Sequence, residues 1–255
     1  MSSVFRAGTL SSNFVFTSRG VFFNQRQVQG YRWLLFDADG TLFDYERAES
    51  AALRQVFESI GIAFDAAYLT SYQRINRMLW QALEQGQVTA KIVKERRFEM
   101  LLGEIGVSYS PARLSHLYLE SLAECSELVE DAAEVVLALK EKYRIAILTN
   151  GLQFVQRRRI ERSVIRSHIA EMVISEEVGF SKPAKEYFKI ALGRIGNPPL
   201  QEALMIGDGW ASDIVGAHQY GLDACWYNPK FQPRPTDCRI VREIGALREL
   251  VGWLA

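Results

Sequence analysis

Residues 31–50 read YRWLLFDADGTLFDYERAES, an apolar run that ends abruptly in two carboxylates. The run Trp33–Phe36 has the composition of a buried strand, and Asp37 and Asp39 follow it directly. Gly40 then permits a tight turn. A strand that ends in this way holds the side chain of Asp37 at a fixed position, with Asp39 beyond it on the turn.

The rest of the chain has two different patterns. From Glu46 to about residue 127 it is helical throughout, and the predicted helices are Ala51–Ile60, Tyr68–Glu84, Ala90–Leu102 and Arg113–Cys125. From Asp131 onward, the predicted strands are Arg144–Thr149, Met172–Ile174, Ala203–Gly207 and Ala224–Tyr227. They alternate with the predicted helices Ala132–Lys142, Phe154–Ser163, Ala184–Ile195 and Ser212–Tyr220.

Strands separated by segments of helix length indicate parallel β-α-β units and a doubly wound sheet. We therefore predict an α/β fold with a Rossmann-like doubly wound parallel sheet core made of residues 31–45 and 128–255. Residues 46–127 form an all-helical domain inserted after the first strand.

Composition excludes several classes of function. Thirty basic and thirty acidic side chains cancel, so the chain has no general attraction for nucleic acid polymers or anionic lipid. No apolar run approaches the length of a membrane span. The three cysteines are far apart, without metal-binding spacing, which fits reduced thiols in a compartment such as the cytoplasm. A monomer and a homodimer are both compatible with the sequence.

Residues 1–30 differ from the remainder because they contain arginines and serines but no acid. We interpret them as a leader or extension outside the core. The alternative is a mitochondrial transit peptide, which has the same composition and would give the protein a mitochondrial location.

Three further polar clusters follow predicted strands. The sequence LTNG ends a strand at Thr149–Gly151, SKPAKEYF contains Lys182, and IGDGWASD contains Asp208 and Asp213. Ligands of open α/β sheets bind at the carboxyl ends of the strands, so these clusters are expected to converge with Asp37 and Asp39 on one pocket.

The residue types of this pocket indicate phosphoryl transfer. Four carboxylates in a small space cannot all remain ionised without a cation, and hard oxygen ligands suit Mg²⁺. Lys182, the hydroxyl of Thr149 and backbone N–H groups near Gly40 and Gly151 supply donors for an anion. One carboxylate can attack phosphorus, and another can donate a proton to the leaving oxygen.

The sequences DADGT, LTNG, SKP and GDGWASD, in this order, resemble the four motifs of the haloacid dehalogenase superfamily of phosphohydrolases. The resemblance implies that Asp37 is the nucleophile that forms an aspartyl-phosphate. It implies that Asp39 is the general acid and then the base that activates water. The dehalogenase branch typically lacks an aspartate at the second position, so Asp39 favours the phosphatases.

The same resemblance implies a Mg²⁺ site. The metal would be held by Asp37, the backbone carbonyl of Asp39 and Asp208, while Asp213 supports its water ligands. Thr149 and Lys182 would hold the phosphate. Next to them, Asn150 orients either the phosphate or only the turn, and Gly151 offers its N–H group. The helical domain would be a mobile cap that closes over the site.

Three cap residues spaced four apart, Tyr72, Asn76 and Trp80, share one helix face. An amide between two aromatic rings can stack and recognise a nucleobase, but the same stripe also fits simple core packing. The sequences YQRIN and LW, RRFE, ISEEVGFSKP and CWYN resemble bacterial pyrimidine 5'-nucleotidases, which favours base recognition. Gly40 departs from that subgroup, in which an acid is common at this position.

We therefore predict a Mg²⁺-dependent phosphatase that acts on nucleoside 5'-monophosphates, with pyrimidines preferred, through an aspartyl-phosphate. The alternatives are a phosphatase for a sugar phosphate or phosphoglycolate, a phosphomutase, and a non-catalytic binding protein on the same fold. The only predicted partner is a small phosphorylated substrate. The basic run Arg157–Arg159 is expected to form a solvated helix face.

Overall fold

A computed structural model describes residues 30–255 of the chain. The predicted leader and its interpretation as a transit peptide lie, apart from Gly30, outside the described residues. Within residues 30–255, no helix is both long enough and apolar enough to cross a membrane.

Six strands form a single sheet. They are β1 (Trp33–Phe36), β2 (Arg144–Thr149), β3 (Ile169–Ile174), β4 (Ala203–Gly207), β5 (Asp223–Tyr227) and β6 (Arg242–Ile244). All neighbouring pairs are parallel, in the order β3-β2-β1-β4-β5-β6. The chain winds outward in both directions from the centre of the sheet, so a crevice opens between the carboxyl ends of β1 and β4. The predicted doubly wound α/β fold is confirmed.

The observed helices differ from the predicted ones at their ends. Between β1 and β2 lie α1 (Tyr45–Ser59), α2 (Ala66–Glu84), α3 (Ala90–Ile105), α4 (Pro111–Glu124) and α5 (Ala132–Leu139). The later helices are α6 (Gln153–Arg162), α7 (Ser175–Val178), α8 (Lys185–Arg194), α9 (Gly216–Tyr220) and α10 (Glu249–Leu254). We call α1 to α4 the helical insertion. Helix α1 starts six residues before the predicted Ala51 because Asp44 caps it, accepting a hydrogen bond from the Arg47 N–H.

The end of α3 illustrates how a glycine can mislead a sequence prediction. The predicted helix stops at Leu102, before Gly103, yet α3 continues to Ile105. Gly103 is tolerated within the helix at a cost of about 1 kcal/mol relative to alanine. The helix ends at Gly106, whose φ of 68° is the left-handed conformation typical of a terminating glycine.

Three apolar clusters stabilise the molecule. Alternate residues of β1 point to opposite faces of the sheet, with Leu34 and Phe36 in one cluster and Trp33 and Leu35 in the other. The third cluster lies within the helical insertion and also includes Leu152 and Val155 from the α6 region. The strand β6 was not predicted because it is a short, partly polar edge strand.

The connections between sheet and insertion run side by side. Phe43, before α1, forms a bridge with Leu128, after α4. The N–H of Asp44 donates to the carbonyl of Glu127, and the N–H of Val129 donates to the carbonyl of Leu42. Both connections therefore leave the sheet next to the end of β1, where Asp37 and Asp39 lie.

Candidate active site

Three carboxylates meet in the crevice at the carboxyl end of the sheet. Asp37 follows β1, Asp208 follows β4, and Asp213 lies on a π-helical turn, Trp210–Val215, that leads into α9. One carboxylate oxygen of each lies within 4.8 Å of the other two. Asp37 and Asp213 are buried, and Asp208 is the most exposed of the three. The structure thus brings together three of the four acids that the sequence placed in one pocket.

The position of Asp208 is fixed by the turn after β1. The hydroxyl of Thr41 donates to the Asp208 carboxylate and accepts from the Asp208 N–H, both at 3.1 Å. Gly40 has a φ of +87°, and a Cβ there would lie 2.6 Å from the carboxylate of Asp208. Glycine suits this position in its backbone conformation and its lack of a side chain, and a larger residue would have to displace the carboxylate of Asp208.

Asp213 depends on a similar close approach. A Cβ on Gly207 would lie 2.3 Å from its carboxylate. The N–H of Gly209 donates to its Oδ2 at 2.9 Å, leaving Oδ1 to face the lysine described next. Single π-helical turns of this kind are often found at functional sites.

Lys182 supplies the positive charge of the site. Its Nζ lies 2.5 Å from an oxygen of Asp37 and 2.7 Å from an oxygen of Asp213, and it donates to the carbonyl of Leu148 at 2.6 Å. Its side chain is 1% exposed. Three acceptors therefore surround the three protons of a buried ammonium group, which fixes its position next to Asp37.

The pKa values reflect an excess of negative charge. Desolvation raises the pKa of Asp37 well above its usual value, although the charge of Lys182 opposes this. Desolvation and then the charge of Asp213 raise the pKa of Asp208 to about 7. Burial alone would lower the pKa of Lys182, but the charges of Asp213 and Asp37 outweigh it and raise that pKa above its ordinary value. One lysine does not balance three carboxylates, so a cation is needed for all three to be ionised.

The residues Thr149, Asn150 and Gly151 lie at the end of β2, beside the lysine. The hydroxyl of Thr149 accepts a hydrogen bond from the Gly151 N–H at 2.9 Å and retains its own proton for donation. The amide of Asn150 bonds the main chain of Lys182: it donates to the lysine carbonyl and accepts from the lysine N–H, each at 2.8 Å. These bonds orient the turn, and a contact of Asn150 with the phosphate stays a prediction.

Asp39 is not part of the carboxylate cluster. Its side chain is 26% exposed and turns toward α6, where it accepts hydrogen bonds from Gln156 and Arg159. The prediction that four carboxylates crowd one small space is thus wrong for this side chain. A metal contact through the backbone carbonyl of Asp39 stays a prediction.

Two members of the aromatic stripe, Tyr72 and Asn76, are buried within the insertion. Tyr72 is completely buried, and its ring packs against Phe98 and Tyr118 with centroids 5.5 and 5.3 Å away. Asn76 is 5% exposed, and its amide donates to Tyr45 and to Glu49, each at 3.1 Å. The prediction that Tyr72 stacks on a nucleobase and that Asn76 pairs with it is wrong in this structure, because neither group has a free face.

A buried arginine explains why these side chains turn inward. The guanidinium of Arg97 lies over the rings of Tyr118, Phe98 and Tyr72, 4.8 to 5.8 Å from their centroids, and donates to Asn76 at 3.3 Å. Cation–π contacts of a desolvated guanidinium are strong. Trp80, the third member of the stripe, is only partly buried against the same cluster.

One charge interaction and one ion pair show how the insertion approaches the core. Glu84, the last residue of α2, has a pKa raised by desolvation and then by the charge of Asp213, while Lys182 opposes the rise. Lys94 of α3 forms an ion pair of 2.5 Å with Glu176 of α7, and the other oxygen of Glu176 accepts from the N–H of Gln153. The first places the end of α2 near Asp213 and Lys182, and the second joins α3 to α7.

The donor set fits Mg²⁺. Three carboxylates with hard oxygen atoms converge, and Asp208 is the most exposed of them. Burial and neighbouring negative charge raise the pKa values of Asp37 and Asp208, which a bound cation would lower again. Asp37, Asp208 and Asp213 are therefore the side chains suited to hold such an ion or its water ligands.

Sequence reasoning missed several residues of the site. Thr41 orients Asp208, and Gln156 and Arg159 hold Asp39. The run Arg157–Arg159 was expected to be solvated, but Arg159 is fully buried. The spacing of three between Gln156 and Arg159 was the available signal, since it places both on one helix face.

Comparison with known proteins identifies the family of this chain. Residues 31–221 match the model of the haloacid dehalogenase-like hydrolases. The chain is 36% identical over 223 residues to the HAD-hydrolase YfnB of Bacillus subtilis, an alignment that covers 88% of this chain and 95% of YfnB. A crystal structure of YfnB bound to magnesium, described as revealing interdomain movement, superimposes with a TM-score of 0.83 over 88% of this chain and 98% of that chain.

Two further relatives have named activities. The chain is 33% identical to the pyrimidine 5'-nucleotidase YjjG of Escherichia coli, over 86% of this chain and 95% of YjjG. It is 29% identical to the pyrimidine 5'-nucleotidase PynA of Streptococcus pneumoniae, over 88% of this chain and 95% of PynA. Each of the three alignments covers at least 86% of this chain, so each includes most of the helical insertion as well as the strands that form the crevice.

Proposed function

The chain belongs to the haloacid dehalogenase-like hydrolases, and we propose that within this family it is a Mg²⁺-dependent 5'-nucleotidase that hydrolyses pyrimidine nucleoside monophosphates. The observation that carries the proposal is the position of Lys182, whose ammonium group lies between Asp37 and Asp213. A fixed cation next to a fixed carboxylate is suited to bind a phosphoryl group and to direct attack upon it.

Hydrolysis proceeds in two steps. An oxygen of Asp37 attacks phosphorus and the bond between phosphorus and the ester oxygen breaks, while Asp39 gives its proton to that oxygen. The products are the free alcohol and an aspartyl-phosphate. The carboxylate of Asp39 then takes a proton from a water molecule whose oxygen attacks phosphorus, which releases phosphate and regenerates both aspartates.

Other side chains supply charge and orientation. Lys182 and the hydroxyl of Thr149 donate hydrogen bonds to the phosphoryl oxygens, and the N–H group of Gly151 lies beside them. Asp37, Asp208 and Asp213 would hold Mg²⁺ or its water ligands, and the ion would supply positive charge next to the carboxylates and the phosphoryl group. Asn150 keeps Lys182 in place through its two hydrogen bonds to the lysine main chain.

The helical insertion, residues 46–127, acts as a mobile cap over the core, which consists of residues 31–45 and 128–255. Two observations support this role: both connections to the insertion run side by side, and the Lys94–Glu176 ion pair that joins the insertion to α7 is partly exposed. The interdomain movement described for YfnB supports it as well. Closure of a cap excludes water and brings residues of the insertion to the substrate.

The choice of substrate rests on relatives and on one residue. YjjG and PynA are pyrimidine 5'-nucleotidases, and the partly exposed Trp80 is the remaining aromatic ring of the stripe that can stack on a base. Because Tyr72 and Asn76 are engaged within the insertion, a phosphatase for a sugar phosphate or phosphoglycolate is the second candidate.

A panel of phosphate esters tests the proposal. Phosphate release is measured with Mg²⁺ and with EDTA on pyrimidine and purine nucleoside monophosphates, sugar phosphates, phosphoglycolate and p-nitrophenyl phosphate. We expect Mg²⁺-dependent turnover with the highest kcat/KM on UMP, dUMP or dTMP. Asp37→Asn serves as the blank and lowers kcat by at least about 10⁴-fold.

The outcomes separate the candidates. A preference for sugar phosphates or phosphoglycolate would replace the substrate and leave the chemistry intact, whereas equal activity of Asp37→Asn would reject the chemistry. Trp80→Ala should impair nucleotide turnover far more than turnover of p-nitrophenyl phosphate. Equal impairment of both would reject base stacking by Trp80.

We place this activity in the cytoplasm. All three cysteines, Cys125, Cys225 and Cys238, are free thiols, and two of them are buried in the two clusters that cover the sheet. Thiols of this kind fit a reducing compartment.

A further inference from the structure

Asp39 is held by two buried side chains of α6. Arg159 pairs with one of its carboxylate oxygens, and the amide nitrogen of Gln156 donates to the other. Both side chains are essentially inaccessible, at 0% and 1% exposure. Each oxygen of the carboxylate therefore has a donor of its own, on two residues that lie three apart on one helix face.

The absence of a side chain at Gly151 makes room for the contact between Gln156 and Asp39. A Cβ on Gly151 would lie 2.3 Å from the amide nitrogen of Gln156, so only glycine at 151 lets that amide pass to Asp39. The other ends of both side chains are incompletely satisfied: the carbonyl oxygen of Gln156 and the Nη2 of Arg159 have no hydrogen-bond partner among the described residues. Buried polar atoms left in this state cost free energy, which indicates that the arrangement serves more than stability.

Arg159 also contacts both connections to the helical insertion. Its guanidinium lies 4.5 Å from the centroid of the Phe43 ring in the first connection. Its Nε donates to the carbonyl of Cys125, where α4 ends and the second connection begins, at 2.8 Å. A single planar side chain thus links Asp39 to the two segments about which the insertion would move.

We propose that Gln156 and Arg159 are positioning residues for proton transfer by Asp39, and that Arg159 makes this position depend on the two connections. The inference rests on the proposed phosphatase chemistry, in which Asp39 first protonates the ester oxygen and then deprotonates water. Neither residue touches the phosphoryl group. Their contribution is to fix the direction of the carboxylate, which general acid–base catalysis requires.

The leaving group provides a readout that a purely structural role would not move. An alkyl phosphate needs a proton on its departing oxygen, whereas p-nitrophenyl phosphate releases a stable phenolate without one. Loss of Asp39 orientation should therefore slow the alkyl ester selectively. In the second step, both esters pass through the same aspartyl-phosphate, so p-nitrophenyl phosphate should show a burst of phenolate when water activation becomes slow.

The experiment compares kcat/KM of Arg159→Met for p-nitrophenyl phosphate and for the alkyl phosphate of the panel that the wild type hydrolyses fastest. We expect the ratio of alkyl to aryl activity to fall by about 10- to 100-fold, with a burst of p-nitrophenolate. Arg159→Lys, which keeps the charge but not the planar fork, should recover part of the ratio. Arg158→Met, on the exposed neighbour in the same helix, is the matched control and should leave it unchanged.

The ratio is independent of the fraction of enzyme that is folded, because both substrates report on the same active molecules. Gln156→Met provides a second variant that keeps the buried cation, and we expect a smaller fall in the same direction. An unchanged ratio without a burst in either variant would overturn the inference while leaving the proposed function intact. Wild-type enzyme that releases phosphate from neither ester would instead overturn the proposed function.

Discussion

Arg97 in the helical insertion and Arg159 in the sheet core are both fully buried, but their charges are compensated in different ways. Arg159 faces the partly exposed carboxylate of Asp39 and a backbone carbonyl. Arg97 forms no ion pair within the described part of the chain and lies instead among three aromatic rings, with two of its nitrogen atoms lacking partners. The first arrangement fixes a partly exposed carboxylate near the end of β1, and the second fills the interior of the insertion.

The difference extends to the regions around each arginine. At the carboxyl end of the sheet, polar groups keep the ability to bind a ligand: Asp208 is the most exposed carboxylate, and the hydroxyl of Thr149 retains a proton to donate. In the insertion, Tyr72 and Asn76 are buried, and the amide of Asn76 already donates to Tyr45 and Glu49. We therefore expect the catalytic groups to lie at the carboxyl end of the sheet, and we expect Tyr72 and Asn76 to stabilise the insertion.

The largest effect is expected from removal of Lys182, the cation at the carboxyl end of the sheet. Lys182→Met leaves Asp37 and Asp213 without their shared partner, and phosphate release should fall by about 10²- to 10³-fold. In EDTA, the free energy of unfolding in urea should fall by about 3 kcal/mol, since one partner of a buried ion pair is lost. Lys185→Met, on the exposed neighbour that begins α8, is the control and should match the wild type. Full activity of Lys182→Met would contradict the role of this charge.

A substitution in the insertion should affect stability alone. Arg97→Met removes three cation–π contacts and one hydrogen bond, so we expect a loss of about 1–3 kcal/mol in the free energy of unfolding. The kcat for p-nitrophenyl phosphate should stay at the wild-type value, because among the described residues Arg97 contacts only those of the insertion. Urea denaturation and phosphate release measure the two quantities, with the exposed Arg96→Met as control. A folded Arg97→Met protein with a strongly reduced kcat would place the insertion's interior within the active site.

The smallest effect is expected at the contact between the two regions. Lys94→Met breaks the partly exposed ion pair with Glu176, which is worth about 0.2–1 kcal/mol. If this pair stabilises the closed cap, KM for the preferred substrate should rise by less than about sixfold with little change in kcat. Lys91→Met, an exposed lysine one turn earlier on α3, should leave KM unchanged. A lower KM in Lys94→Met would show that the pair opposes closure.

The sheet edge was predictable because its signals are local. The apolar runs fix where β1, β2 and β4 end, and parallel strands bring residues at those ends together whatever lies between them. Asp37, Thr149 and Asp208 could therefore be placed in one pocket from the strand ends, and Lys182 was added through the SKP motif. The short edge strand β6 carried no such run, so it escaped prediction.

The insertion and α6 were less predictable because periodicity gives a common face without its direction. Tyr72 and Asn76 do share a face of α2. The direction of that face depends on Arg97, which lies on α3, 21 residues after Asn76. Arg159 appeared within a run of three basic residues that is typical of a solvated surface. Only the tertiary position of Asp39 distinguishes it from Arg158.

The aspartyl-phosphate on Asp37 is the most direct test of the proposed chemistry. The enzyme is mixed with Mg²⁺ and p-nitrophenyl phosphate, quenched with acid during turnover and digested, and its peptides are analysed by mass spectrometry. We predict a phosphorylated peptide that contains Asp37 in the wild type, and none in Asp37→Asn. Steady turnover by the wild type, with no phosphorylated peptide even in Arg159→Met, where slow hydrolysis should accumulate the intermediate, would contradict the account.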